Sequence, residues 1–446
     1  MRIAVVGLGY VGLVQAACLA DAGHRVSGVE SDEARLRLLL GGETPFYEPG
    51  LSELVRRALD RGGLRITSEI DVAVCQSEVV FLTVGTPPRA DGSSNLDALF
   101  EAGEALAAGA SSALLVAVKS TVPVGTCDDL ESAMRRRADA RVDVVANPEF
   151  LAQGRAIADF REPRRVVLGS TSEAALEPLL ALYRPFVESG SGRLVVIDRR
   201  SAELAKYAAN GALALRVSMI NEYARLCDAV GADIEEVRQV LASDPRIGPH
   251  FLEAGLGFGG SCLPKDITSL LHQARAADCE MPLVEALYAV NQGQRTRLAE
   301  LAVEAFGDEL SGRRFAVWGL AFKPGSDDLR ESPAILTIDE LLRRGARLTL
   351  YDPAALDNAR ALYGGRVDYA STALSALEGA EALLLCTAWP ELAQLSLSAI
   401  AERISTPERN TPPYLFDGRN LFDPVEAGRA GLVYRGVGRG RAFPSG

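Results

Sequence analysis

The opening thirty residues restrict the possible folds more than any other stretch. A β-branched run, "RIAVV", leads into "GLGYVG", which sets Gly7, Gly9 and Gly12 in G-x-G-x-x-G spacing. A helical pattern continues to Ala22, Gly23 ends it, and "RVSGVE" predicts a second strand closing on Glu30. Strand, glycine turn, helix, strand and acid in that order predict the first βαβ unit of a doubly wound sheet. Glycines so spaced allow a tight turn and let a pyrophosphate approach the helix N-terminus, where unpaired N–H groups favour an anion. An acid ending the second strand accepts ribose hydroxyls and repels a 2′-phosphate, so the expected cofactor is NAD rather than NADP.

Further strands are expected at "VVFLTVG" (79–85), "LLVAVKST" (114–121) and "VDVVANP" (142–148), each ending in small or polar residues. A second unit of the same kind begins at "RRFAVWGLAF" (313–322), where "RRGARLTLYDP" repeats the pattern of "DAGHRVSGVESD" and "ALLLCTA" (382–388) resembles "VVFLTVG". Its glycine fingerprint is replaced by "FKPGSDDLRES", with Lys323 and Arg330 placed to meet a phosphate-bearing ligand. The expected fold class is α/β, with two Rossmann-like doubly wound domains joined by a central helical region. The expected boundaries are 1–198, 199–305 and 306–446. The central stretch "SAELAKYAANGALALRVSMINEYARLCDAVG" is helix-patterned, with Ser201 as the expected N-cap and Glu203 behind it. Lys206 and Asn210, four residues apart, share one face of that helix. The tail beyond "GRNLFDP" is rich in Gly and Arg and is expected to be loose.

The totals narrow the function. A net charge of −12 argues against a nucleic-acid surface, which needs clustered Lys and Arg. The seven cysteines (18, 75, 127, 227, 262, 279, 386) form no CxxC pair, and with three histidines in all there is no metal-ligand spacing. No metal is expected, and free thiols point to the cytoplasm. The chain starts on a strand, so no signal peptide is expected, and no apolar run approaches membrane-span length.

One segment stands apart. "GLGFGGSCLPKD" (255–266) crowds glycines around Cys262 and follows it with Lys265 and Asp266. A thiol beside a cation and a carboxylate is a candidate nucleophile; a flexible loop around a buried free cysteine is the plainer alternative.

Taken with "GLGYVG", "VGTP", "KSTVPVGT", "NPEF", "GLAFKPGSDDLRESPA" and "DGRN", these stretches resemble the UDP-glucose/GDP-mannose dehydrogenase family over nearly the whole chain. The resemblance implies NAD-dependent oxidation of a sugar nucleotide's C6 alcohol to a carboxylate, in two steps. It implies that Cys262 attacks the C6 aldehyde, that Asp266 activates water, and that Lys206 and Asn210 stabilise the C6 oxygen. Thr121 matches a residue that orders water, and Glu149 a carboxylate used in thioester hydrolysis. For the cofactor it implies Gly7, Gly9, Tyr10, Val11, Gly12, Glu30, Thr86, Thr121, Lys265 and Arg330. For the substrate it implies Phe150, Leu151, Gln153, Phe251, Gly259, Phe322, Lys323 and Arg419, besides Lys206 and Asn210. Arg246 matches an arginine reaching the neighbouring subunit's substrate, so at least a homodimer is expected. The glycines of 255–260 are expected to let backbone N–H groups cradle the sugar nucleotide.

"DPRIGPHFLEAGLGFGG" is most similar to the UDP-glucose branch. The alternatives are GDP-mannose, dTDP-glucose or an N-acetylated UDP-sugar, and a catalytically silent binder of NAD and sugar nucleotide. A retained thiol with Lys206, Asn210 and Asp266 argues against the silent binder. The family pattern departs at Gln153, where an acid is usual; an amide hydrogen-bonds but cannot take a proton.

Overall fold

The computed structural model describes residues 1–74, 77–110, 112–404 and 412–440; Cys75 and the final six residues lie outside them. The chain divides into two compact units, Met1–Ala209 with Thr268–Glu280, and Asn210–Ile267 with Met281–Gly446.

In the first unit the strands are β1 (Arg2–Val6), β2 (Arg25–Val29), β3 (Leu64–Thr67), β4 (Val79–Leu82), β5 (Leu114–Val118), β6 (Val142–Ala146), β7 (Arg165–Gly169) and β8 (Arg193–Ile197). They lie in the order β3-β2-β1-β4-β5-β6-β7-β8. The pairs are parallel except β6 with β7, which meet antiparallel at Ala146 and Gly169. β4 is buried at every position, as a central parallel strand covered on both faces must be. The order reverses between β1 and β4, and their carboxyl ends open the crevice where such sheets bind ligands.

The second unit repeats the plan with β9 (Arg314–Trp318), β10 (Arg347–Tyr351), β11 (Asp368–Tyr369), β12 (Ala382–Leu385), β13 (Tyr414–Asp417) and β14 (Val433–Gly436). Their order is β11-β10-β9-β12-β13-β14, parallel throughout. The two sheets share their turn chemistry. Gly7 N–H donates to Val29 O and Gly319 N–H to Tyr351 O, each at 2.9 Å. Thr83 Oγ1 donates to Gly7 O, and Thr387 Oγ1 donates to Ala321 O.

Between β8 and β9 the described chain is helical: Arg199–Val230, Ile234–Ser243, Leu263–Ala276, Pro282–Gln294 and Arg297–Phe306. Two expectations need correction. The long helix starts at Arg199, and its cap is Asp198, whose carboxylate accepts from Ser201 N–H at 2.9 Å. Glu203 caps a different helix: its oxygens accept from Gly125 N–H at 2.6 Å and Cys127 N–H at 2.7 Å, at the start of Thr126–Arg135. The tail is ordered as far as residue 440, and the rest of it lies outside the described residues. Asp423 caps a helix at Pro424–Arg429, β14 completes the second sheet, and Tyr434 is buried. Leu432, Tyr434 and Val437 are buried along a stretch whose Gly and Arg content suggested otherwise.

Glu203 is 3% exposed, and of the two amides it accepts that of Cys127 is buried and that of Gly125 part-buried. Glu203→Ala should destabilise the first unit by about 2–4 kcal/mol, the cost of two stranded donors. Chemical denaturation should show an earlier midpoint; an unchanged midpoint would refute the cap.

Candidate active site

In the first unit the glycine turn joins β1 to the helix Tyr10–Asp21, with Val11 in its first turn. A Cβ on Gly12 would stand 1.9 Å from Gly7 O, so only glycine lets helix and turn close up. Over Gly9 no protein atom lies within 4 Å of where a Cβ would stand, leaving room at the helix N-terminus. Glu30, beyond β2, accepts Leu8 N–H at 3.2 Å and Asp32 N–H at 2.9 Å. A carboxylate has about four lone-pair sites, so capacity remains for ribose hydroxyls. These residues fit a dinucleotide. Thr86 Oγ1 donates to Thr121 O at 2.8 Å, tying the segments that leave β4 and β5.

Below this crevice lies a buried ion pair. Lys206 Nζ is 2.8 Å from Glu149 Oε1, with both side chains 7% exposed or less. Burial pushes the Glu149 carboxyl up. The Lys206 charge and hydrogen bond, the Leu151 amide at 2.6 Å and the Lys119 charge outweigh it and hold Glu149 below its usual range. Lys206 Nζ also sits 5.4 Å from the Phe150 ring centroid, and the Arg165 guanidinium 3.9 Å from it.

Sequence reasoning missed Lys119. It donates to Asn147 Oδ1 at 3.3 Å, an oxygen that Tyr183 also reaches at 2.7 Å. Burial brings its pKa down to about 8; the Glu149 charge opposes this and the Lys206 charge adds to it. Its place after β5 in "VAVKST" was the available signal, since a lysine ending a buried strand has little access to water. It lines a cavity of about 100 Å³ with Phe150, Leu151, Arg165 and Tyr183.

In the second unit Cys262 is exposed and stands immediately before the helix Leu263–Ala276; Asp266 N–H donates to its carbonyl at 2.9 Å. The sulfur therefore sits at a helix N-terminus, where negative charge is favoured. One turn on, Asp266 is 1% exposed, and its oxygens accept from Asn210 Nδ2 and Lys265 Nζ, each at 2.6 Å.

Three amides of the glycine loop before the cysteine are engaged within the protein. Gly255 N–H donates to Asn221 Oδ1, Phe258 N–H to Asn291 Oδ1, and Gly260 N–H to Arg330 O. Gln294 and Asn291 hold the loop's carbonyls in turn. The glycines serve packing: a Cβ on Gly259 would stand 2.1 Å from Glu331 O, and one on Gly260 would meet the Phe322 ring at 2.8 Å. Asn221, Asn291 and Gln294 escaped sequence analysis because helical amides read as solvent-facing.

The remaining candidates fall into four groups. Arg419 Nε donates to Cys386 O at 2.8 Å and one of its terminal nitrogens to Gly257 O at 3.3 Å, so it braces the loop. Lys323 lies over the Phe322 ring at 5.5 Å, and Arg330 forks onto Asp328 at 2.8 and 2.7 Å. Arg246 is not brought to the cysteine loop: it pairs with Asp244, and its side chain is 88% exposed. Phe251, at φ 61°, also faces solvent. Leu151 and Gln153 lie on the segment after β6, where Gly154 turns at φ 84°. Among the described residues no cluster of three His, Cys, Asp or Glu could hold a metal ion.

Comparison with known proteins gives a consistent picture. Residues 1–187 match the NAD binding domain of the UDP-glucose/GDP-mannose dehydrogenase family, 200–293 its central domain and 316–424 its UDP binding domain. The chain is 43% identical to a UDP-glucose 6-dehydrogenase of Pseudomonas aeruginosa, across 99% of this chain and 98% of that protein. A UDP-glucose 6-dehydrogenase of Haloferax volcanii, AglM, is 42% identical across 98% of this chain and 100% of its own length. A solved UDP-glucose dehydrogenase from Pyrobaculum islandicum superposes with a TM-score of 0.89 at 37% identity, covering 98% of this chain and 97% of that one.

Two outcomes follow from the first unit. With Glu30 at the end of β2, NADH should bind at least about tenfold more tightly than NADPH by fluorescence titration; equal affinities would remove Glu30 from the ribose site. For Lys119, the unfolded chain holds its proton to an ordinary 10.5 and the folded one only to about 8. Between these values the unfolded state binds more protons, so stability rises with pH. Compared with Lys119→Met, the wild type should gain on going from pH 7.5 to 9.5 in urea denaturation. A difference that does not change with pH would refute the assignment.

Proposed function

The chain belongs to the UDP-glucose/GDP-mannose dehydrogenase family, and we propose that it is an NAD-dependent UDP-glucose 6-dehydrogenase that makes UDP-glucuronate through a thioester on Cys262. The observation that carries this reading is Asp266, a buried carboxylate one turn past an exposed cysteine, with its oxygens held by Asn210 and Lys265. A structural cysteine needs no such neighbour.

NAD supplies, when bound, the two-electron acceptor that each of the two oxidations requires. The chain's own residues act on the sugar. Lys206 and Asn210 hold the C6 oxygen as it gains charge, Thr121 orders a water that takes up the proton released, and Glu149 serves the later thioester hydrolysis. Cys262 Sγ adds to the C6 aldehyde, because an aldehyde has no hydride to surrender until an adduct restores a tetrahedral carbon. Oxidation of that thiohemiacetal leaves the thioester. Water activated by Asp266 adds to it, and the tetrahedral intermediate expels the Cys262 thiolate and leaves the carboxylate. Phe322, Lys323 and Arg419 bind the nucleotide, and Lys265 and Arg330 reach the second half of the cofactor.

This reading divides the chain into an NAD-binding region at 1–198, a helical region at 199–305 and a sugar-nucleotide region at 306–446. It also includes a homodimer. Leu215, Tyr223, Leu226 and Val230 are exposed along the long helix, with Val240 exposed on Ile234–Ser243 and Leu283 on Pro282–Gln294. That much exposed apolar surface on neighbouring helical segments is what a second copy would cover, and Arg246, turned to solvent, would then reach the partner's substrate. No described helix is long and apolar enough to cross a membrane. A mechanism that needs a reduced thiol belongs in the cytoplasm.

The test uses purified protein, NAD⁺ and a panel of sugar nucleotides, following NADH and uronate together. UDP-glucose should yield two NADH per uronate; preference for an N-acetylated or GDP-linked sugar would reassign the substrate. Cys262→Ala should retain UDP-glucose binding while uronate formation falls more than about a thousandfold, about 4 kcal/mol of barrier. Near-normal uronate output from that variant would sink the covalent route.

A further inference from the structure

The carboxylate of Glu48, in "TPFYEPG", is 5% exposed, and it is absent from the chemistry above. Its partners are hydrogen-bond donors rather than a cation. Oε2 takes the Tyr10 hydroxyl in a short hydrogen bond and Gly154 N–H at 2.6 Å; Oε1 takes Ala156 N–H at 2.8 Å. Gly154 N–H is also 3.2 Å from the Tyr10 oxygen. Tyr10 is the first residue of the helix that the glycine turn opens, and Phe46 packs on its ring at 5.0 Å.

The segment that Glu48 grips is tied down in the same way along its length. Leu151 N–H ends on Glu149 at 2.6 Å and Ala152 N–H on Asp159 at 3.0 Å. Four backbone donors between 151 and 156 thus terminate on three carboxylates. This strap carries Phe150, Leu151 and Gln153. A buried carboxylate is costly unless its lone pairs are filled, and Glu48 draws on Tyr10 and both strap amides to fill them. No other side chain does this: glutamine would turn an NH₂ against a backbone N–H, and aspartate is one methylene too short to span the three donors.

We propose that Glu48 is a positioning residue that couples the cofactor turn to the substrate strap. NAD seated over residues 7–12 fixes Tyr10, Tyr10 fixes Glu48, and Glu48 fixes the backbone at Gly154 and Ala156. The strap then offers the sugar nucleotide one geometry, and by reciprocity the sugar nucleotide tightens the cofactor site. The proposal rests on the reading above that Phe150, Leu151 and Gln153 meet the substrate.

Two measurements on the full chain test it, with NADH as the cofactor form so that no turnover intervenes. Amide hydrogen exchange of residues 151–156 reads the coupling without any sugar nucleotide. NADH should slow exchange at Gly154 and Ala156 at least about tenfold in the wild type. The slowing should be less than about twofold in Glu48→Gln and in Tyr10→Phe, each at saturating NADH. Tyr10→Phe leaves Glu48 holding both strap amides, so it keeps the test decisive if Glu48→Gln fails to fold. The dissociation constant for UDP-glucose should fall about 5–10-fold on adding NADH to the wild type, the usual size of a coupling, and not in either variant. Equal protection in wild type and variants, or none in the wild type, overturns the proposal. Coupled exchange in a wild type that binds no sugar nucleotide would refute the substrate reading instead and leave the link between turn and strap standing.

Discussion

The polar face of the helix Arg199–Val230 is the constraint on which the remaining architecture depends. Arg199, Glu203, Lys206 and Asn210 recur at helical spacing, and each is committed to a buried partner. Arg199 reaches Glu131 at 2.6 Å, Glu203 takes the amides at the start of Thr126–Arg135, Lys206 reaches Glu149, and Asn210 reaches Asp266. The Lys206–Glu149 pair is the costliest of these. Two charges leave water for it, and losing one partner strands the other at about 3–5 kcal/mol. The pair persists because Glu149 also accepts the Leu151 amide, and because Asn147, beside it in sequence, is pinned by Tyr183 and Lys119. The helix cannot rotate or slip by one residue without breaking every one of these bonds. The residues proposed to handle the C6 oxygen are therefore held by the same bonds that fix the helix.

The second sheet repeats the order of the first six strands of the first sheet, and a single carboxylate in each separates their uses. At the end of β2, Glu30 receives two backbone donors. At the equivalent place after β10, Asp352 receives five: the amides of Leu320, Ala321, Ala354 and Ala355, and the Trp389 indole. A carboxylate with five donors has nothing left for a ribose. The second sheet has turned its fingerprint acid into a structural clamp, which agrees with the match of this region to a UDP binding domain and of the first to an NAD binding domain.

Much of this was legible in the chain itself. Central strands betray themselves as unbroken apolar runs, so "VVFL" and "ALLL" could be placed without partners, and the repeat of acid after strand exposed the second sheet. Cys262 and Asp266 were legible because both lie on one short segment. What could not be read depends on long-range pairing. Lys119 and Glu149 are separated by thirty residues, Glu203 and its amides by nearly eighty, and Tyr10 and Gly154 by far more. Periodicity says that Ser201 and Glu203 lie near a helix start, but not that Asp198 is the cap or that Glu203 serves another helix. Glycines signal a tight backbone without saying whether ligand or protein fills the space, and at 259 and 260 it is protein.

Gln153 has a physical setting once the strap is described. Three carboxylates already converge on the strap's backbone: Glu48, Glu149 and Asp159. A fourth acid at 153 would add negative charge beside these three, and like charges in a site of low dielectric raise one another's proton affinity. An amide avoids that penalty and still offers one acceptor and two donors. Orienting a substrate or a water at this position needs hydrogen bonds and no proton transfer. Two ionisable groups remain for the proton: Glu149, held below its usual pKa range by two lysines, and Asp266 beside the nucleophile. The departure at 153 thus removes a charge from a crowded strap and leaves in place both carboxylates that the proposed thioester hydrolysis uses.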